Sequence, residues 1–189
     1  MKKIVHTIFV VMLLIPLAAW AFFKPVRVLQ PQLVNGISCL SSTVCVDDEN
    51  RFLEASVLYK RAIRFTSDKL GSFHKRPQAV FCSTETCFQD FGFAKASASH
   101  VGKWGIVISP RGWEPYYVRH EMIHHRQTEE IGVIAYLRAP EWLIEGMAYS
   151  LSEDPRGQLS ERWQKSRSQF NEWLITVDRE KLWNEIRKL

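Results

Sequence analysis

Two helices joined by a short reversal limit what this chain can fold into. Pro115 suits the first turn of a helix, and the helical pattern runs from there to Glu130, where Gly132 stops it. Pro140 opens a second helix, "PEWLIEGMAYSL", and Pro155 and Gly157 break the chain behind it. A reversal between Gly132 and Pro140 lays the second helix antiparallel to the first. Whatever the first helix carries on its inner face is then met by side chains of the second.

The first helix carries "VRHEMIHH". Within it His120-Glu121-Met122-Ile123-His124 fits H-E-x-x-H. Helical residues at i and i+4 lie on one face, one turn apart. Two imidazoles so placed can each bring a ring nitrogen to one Zn²⁺ at about 2.0–2.1 Å. Glu121, one residue on from His120, leans beside such a metal and can act as a general base on its water. Met122 and Ile123 are apolar and suit a helix buried on one flank.

A catalytic zinc takes a third protein ligand and leaves a position for water. The H-E-x-x-H-x-x-G-x-x-H arrangement is excluded, because Gln127 and Glu130 stand where its glycine and histidine belong. Glu129 and Glu130 lie further along the same helix and point away. Glu145, after Trp142-Leu143-Ile144, can face the histidines once the second helix folds back. A carboxylate buried there is costly without a partner, and a metal supplies one.

"HEMIHH" followed by "WLIEGMAYS" resembles the gluzincin group of zinc metallopeptidases, the peptidase MA-like clan. That group pairs H-E-x-x-H with a downstream helix of the form W-L-x-E-G-x-A, matched here by Trp142, Leu143, Glu145, Gly146 and Ala148. The resemblance covers residues 104 to 152. It implies one Zn²⁺ per chain held by His120, His124 and Glu145, with Glu121 as catalytic base and a peptide or protein as substrate. It also implies that the strand before the first helix, "WGIVIS", binds an extended substrate along its edge. A G-x-M-E-N motif for binding an N-terminal amine is missing, which argues against aminopeptidase activity. Tyr149, one turn beyond Glu145, is the candidate for stabilising an oxyanion or orienting a ligand; Tyr116, Tyr117 and His100 are its rivals. His74 and His125 read as structural.

The remaining chain reads as α+β. "DDENRFLEASVLYKRAIRFTSDKLG" has apolar residues at three- and four-residue steps, with Asp47 or Asp48 to cap its start and Gly71 to end it. "QAVFC" and "WGIVIS" read as strands, and "STETCFQDFG" as a short helical turn. Residues 24 to 46 read as extended or irregular, with "RVL" a short strand. "AKASASHVGK" reads as a mobile loop and "VIAYLR" as an apolar connector. The tail from Leu159 to Leu189 reads as one or two amphipathic helices packed on the body. The expected architecture is a small zincin-like sheet with helices stacked on one side, in a single domain over residues 24 to 189.

The N-terminus sends this domain across a membrane. Lys2 and Lys3 precede an apolar run from Ile4 to Phe23. It fits a secretory signal peptide with Ala19-Trp20-Ala21 as its cleavage site, and equally an uncleaved anchor long enough to span a bilayer. Either way residues 1 to 23 are a leader, and the folded part lies in the cell envelope on the extracytoplasmic, periplasmic side, anchored or secreted. The four cysteines, at 39, 45, 82 and 87, agree: an even count in an exported chain suggests two disulfides, with the local pairs Cys39–Cys45 and Cys82–Cys87 favoured over the alternatives. Without Lys2 and Lys3 the chain has 23 basic against 20 acidic residues and no basic run, which speaks against a nucleic-acid partner. Two rivals to an enzyme remain. A zinc-stabilised envelope binding module without catalysis has no use for Glu121. An interaction protein with a chance H-E-x-x-H has no use for the downstream W-L-x-E-G.

Overall fold

A computed structural model describes Trp20 and residues 22–189. The leader assigned to residues 1 to 23 lies, but for Trp20, Phe22 and Phe23, outside the described residues. Among the described residues no helix is long and apolar enough to cross a membrane.

The fold is α+β, with a mixed four-stranded sheet in the order β1-β2-β4-β3. The strands are β1 (Val44–Val46), β2 (Gln78–Phe81), β3 (Ala98–Val101) and β4 (Gly105–Ile108). β1, β2 and β4 run parallel, and β3 pairs antiparallel with β4 as the other arm of a hairpin. The helices are α1 (Phe52–Leu70), α2 (Glu85–Asp90), α3 (Pro115–Ile131), α4 (Val133–Arg138), α5 (Glu141–Leu151), α6 (Glu161–Leu174) and α7 (Leu182–Ile186).

Strand alternation explains how the layers form. Val44, Val46, Ala79, Phe81, Ile106 and Ile108 point to one face, where α1 and α3 cover them with Leu58, Tyr59, Val118 and Met122. Cys45, Val80 and Val107 point to the other, where Val28, Val34, Phe88 and Phe91 cover them. The helices are therefore not confined to one side as the sequence suggested. The parallel strands are apolar on both faces, so both need a lid. The segment Lys24–Leu29 supplies part of the second one as a 3₁₀ helix whose Val28 is fully buried, which corrects the "RVL" strand. The two expected disulfides, Cys39–Cys45 and Cys82–Cys87, are both formed on that face.

Three further expectations change. Residues 24 to 46 are not all irregular, since their last three form β1 beside β2. The mobile loop at 94 to 103 contains β3, whose small polar residues suit the rim of the sheet, and Gly102 turns the chain back into β4. In consequence "WGIVIS" is not an edge: β4 is paired on both sides, by β2 and by β3. "VIAYLR" is the helix α4, with none of its residues buried.

A third cluster joins α3 and α5 to the tail. Ile123, Leu143, Met147 and Ala148 pack against Phe170, Leu174, Leu182 and Ile186. Gly146 makes the α5–α6 contact possible. A Cβ there would stand 2.2 Å from the Ser166 carbonyl oxygen and 2.9 Å from the Phe170 Cβ. Backbone cannot yield as a flexible side chain can, so Gly146→Ala forces the helices apart. The variant should lose about 1–3 kcal/mol, read as a lower urea midpoint; an unchanged midpoint would mean the helices have room to spare.

Candidate metal centre

α3 is buried for most of its length, and the buried stretch includes His120, Glu121, Met122, Ile123 and His124. Gly132, with φ +80°, ends it and lets the chain turn into α4. α5 then returns against α3 in the antiparallel sense. His120 meets Tyr149, His124 meets Glu145, and Gln127 meets Leu143 and Ile144.

The two imidazoles point their Nε2 atoms at each other, 3.0 Å apart. Glu145 Oε2 lies 3.4 Å from the nitrogen of His120, and Oε1 lies 3.5 Å from that of His124. The three ligand atoms fall within 4.8 Å of one another, a group able to hold a metal ion. Gln127 fixes the tautomer of His124. Its amide nitrogen donates to the Ile144 carbonyl at 3.0 Å, so its Oε1 must accept from His124 Nδ1–H at 2.9 Å. That leaves the His124 Nε2 lone pair aimed at the centre of the group, as a metal ligand requires.

The electrostatics fit a site that releases a proton to take a cation. Burial, then the neighbouring His120, lower His124 to about 4, so it is neutral at physiological pH. Burial also opposes a charge on His120, but its hydrogen bond to Glu145 and the nearby Glu121 outweigh that and raise it. Burial pushes Glu145 up, yet the His120 hydrogen bond and both histidines bring it down to about 2. The His120 imidazole and the Glu145 carboxylate thus favour each other's charged forms.

Glu121 lies beside the group and makes none of its close contacts. Burial raises it to about 7, against the opposing pull of His120 and with a smaller push from Glu145. The backbone of His100, on β3, works the other way and favours its charged form. Tyr149 sets its ring against His120, centroids 4.5 Å apart. Burial, with Glu145 next, pushes its hydroxyl to about 12, so it keeps its proton and can donate.

These residues line a cleft of about 470 Å³, with β3 as one wall. Of the rivals to Tyr149, His100 lines the cleft but engages Thr128 Oγ1 at 3.2 Å; burial holds it well below the usual range. Tyr116 and Tyr117 stack on each other, 4.3 Å between centroids, further along the cleft. His74 is exposed, and His125 packs away from the pair, 5.9 Å from the ring of Phe73. Two residues packed against His124 escaped the sequence reading. Gln127 was noted only as the absent glycine of another motif, although its place one turn after His124 was the available signal. Tyr136, on α4, packs 6.0 Å from His124 and 5.3 Å from His100. Nothing in "VIAYLR" marked it beyond its being the one polar aromatic of an apolar stretch.

Removing the Nδ1 partner frees the His124 ring to turn. Gln127→Ala should weaken metal binding about 10–100-fold, measured by competition with a chromophoric chelator. Equal affinity would show that the ring is held by packing alone.

No family model matches the chain, and neither a curated protein nor a solved structure does, so its chemistry has to be read from its own geometry.

Proposed function

We propose that the protein is an exported zinc-dependent metallopeptidase of the gluzincin type, acting on peptide or protein substrates in the extracytoplasmic envelope. One observation carries the reading: a His, His, Glu group with its lone pairs converging, and beside it a buried glutamate that binds nothing in the group. A purely structural metal site needs the first and has no use for the second. The two disulfides support an oxidising compartment.

The donor set suits zinc, since two neutral imidazole nitrogens and one carboxylate are its usual catalytic ligands and leave a position open. When bound, zinc polarises the scissile carbonyl and acidifies a water. The rest falls to the protein. Glu121 takes a proton from the attacking water as the new C–O bond forms, then delivers it to the leaving amine as C–N breaks. A carboxylate at about 7 suits both transfers near neutral pH. Tyr149 and Tyr136 flank the histidines from α5 and α4, and burial keeps both hydroxyls protonated, as donors to a developing oxyanion must be.

β3 gives the substrate a place to lie. Ser97 accepts from the Ser109 N–H, and Val101 from the Trp104 N–H, so the odd-numbered residues face inward. By strand alternation Ala98 and His100 turn their N–H and C=O groups to the free edge, and the His100 backbone favours the charged form of Glu121. A peptide added to that edge runs towards the base.

The purified protein should carry about one zinc per chain by elemental analysis. Glu145→Ala should lose it. Glu121→Gln should keep the zinc and lose at least about 100-fold in cleavage of a peptide mixture. A folded parent that takes up no zinc would sink the proposal, and so would a Glu121→Gln variant as active as the parent.

A further inference from the structure

The turn after α5 builds another wall of the cleft. Its Asp154 side chain is 1% exposed and accepts from the Arg156 backbone N–H at 3.0 Å. It also takes Arg156 Nε at 2.8 Å and Nη2 at 2.5 Å. Arg156 Nη1 donates to the Tyr117 hydroxyl at 3.3 Å. The rings of Tyr117, Tyr116 and Tyr149 surround the guanidinium, their centroids 5.0, 5.3 and 5.9 Å from its carbon. Arg156 is therefore held in one orientation by a buried carboxylate and an aromatic box.

A guanidinium has five N–H groups in a fixed fork. One on Nε and one on Nη2 go to Asp154, and one on Nη1 goes to Tyr117. Two remain, one on each terminal nitrogen. The side chain is 37% exposed and lines the cleft, the one Arg or Lys to do so among the described residues. A clamp that only tied the turn to α3 would have no need to keep two donors at a wet surface inside the cleft. A planar acceptor with two oxygens matches such donors, and a carboxylate is the commonest.

We propose that Arg156 anchors a carboxylate of the substrate, so that the enzyme selects peptides bearing one near the bond it cuts. This rests on the metallopeptidase reading. Tyr149 links the two ends, 5.9 Å from Arg156 and 4.5 Å from His120. An extended chain advances about 3.3–3.6 Å per residue, so the carboxylate falls within about three residues of the scissile bond. Because Asp154 already balances the charge of Arg156, recognition comes from direction more than from long-range attraction. The carboxylate belongs either to a chain terminus or to an Asp or Glu side chain.

The test uses zinc-loaded protein carrying Glu121→Gln, so that substrates bind without turnover. Its probes are labelled pentapeptides of Ala and Phe in which one Asp, or its neutral counterpart Asn, moves through every position. Each is made with a free acid and with an amide C-terminus, and binding is read by fluorescence polarisation. At one position, or at the terminus, the charged form should bind at least tenfold tighter than the neutral one. Preference for Asp at an internal position names a side chain as the source; preference for acid over amide names the terminus. Adding Arg156→Gln should abolish the preference while zinc content stays at one per chain, and Arg156→Lys should restore part of it. Charged and neutral peptides binding alike, or a preference that survives Arg156→Gln, overturns the assignment and leaves the metallopeptidase reading intact. A folded protein that neither holds zinc nor binds any peptide overturns both.

Discussion

One short chain of hydrogen bonds holds the centre together. His124 gives its Nδ1 proton to Gln127, and Gln127 gives its own amide proton to the backbone of α5 at Ile144. The first bond settles which nitrogen of His124 is free. The second sets the depth at which α5 sits on α3, and hence the distance from Glu145 to both imidazoles. One side chain thus ties the tautomer of His124 to the packing of α5 on α3. It is 1% exposed, so little water competes for either bond.

α5 is in turn braced from behind. Gly146 lets the backbone of α6 approach to contact, and Phe170 fills the space alongside. The C-terminal helices carry none of the three candidate ligands, yet α5 rests on them. On the other side of the cleft, β3 is placed by its pairing with β4. The edge strand and Glu121 thereby face each other across the cleft.

The centre was legible because its chemistry is local. Two histidines four apart, a glutamate between them and a second helix returning after Gly132 need only helical periodicity and one reversal to be assembled. The sheet was less so. β1 is three residues long, and its register depends on Ala79, Val80 and Phe81, more than thirty positions away. β3 has the composition of a loop and becomes a strand because β4 is there to pair with it. The edge role that the family resemblance implied for "WGIVIS" fails with it, because β3 covers that side of β4. Tyr136 and Arg156 were invisible for a related reason. Each lies on a connecting segment, and only the closed cleft gives it neighbours.

All four cysteines are closed in bridges, and both bridges lie on the face of the sheet turned away from α3. Thiolates are softer and stronger ligands for zinc than a carboxylate is. A reduced chain would offer four of them, in competition with two imidazoles and Glu145. Oxidation removes that competing set before it can matter. By consuming every thiol in the chain, the bridges leave the nitrogen and oxygen donors of the helices without a thiol rival for any metal they take up.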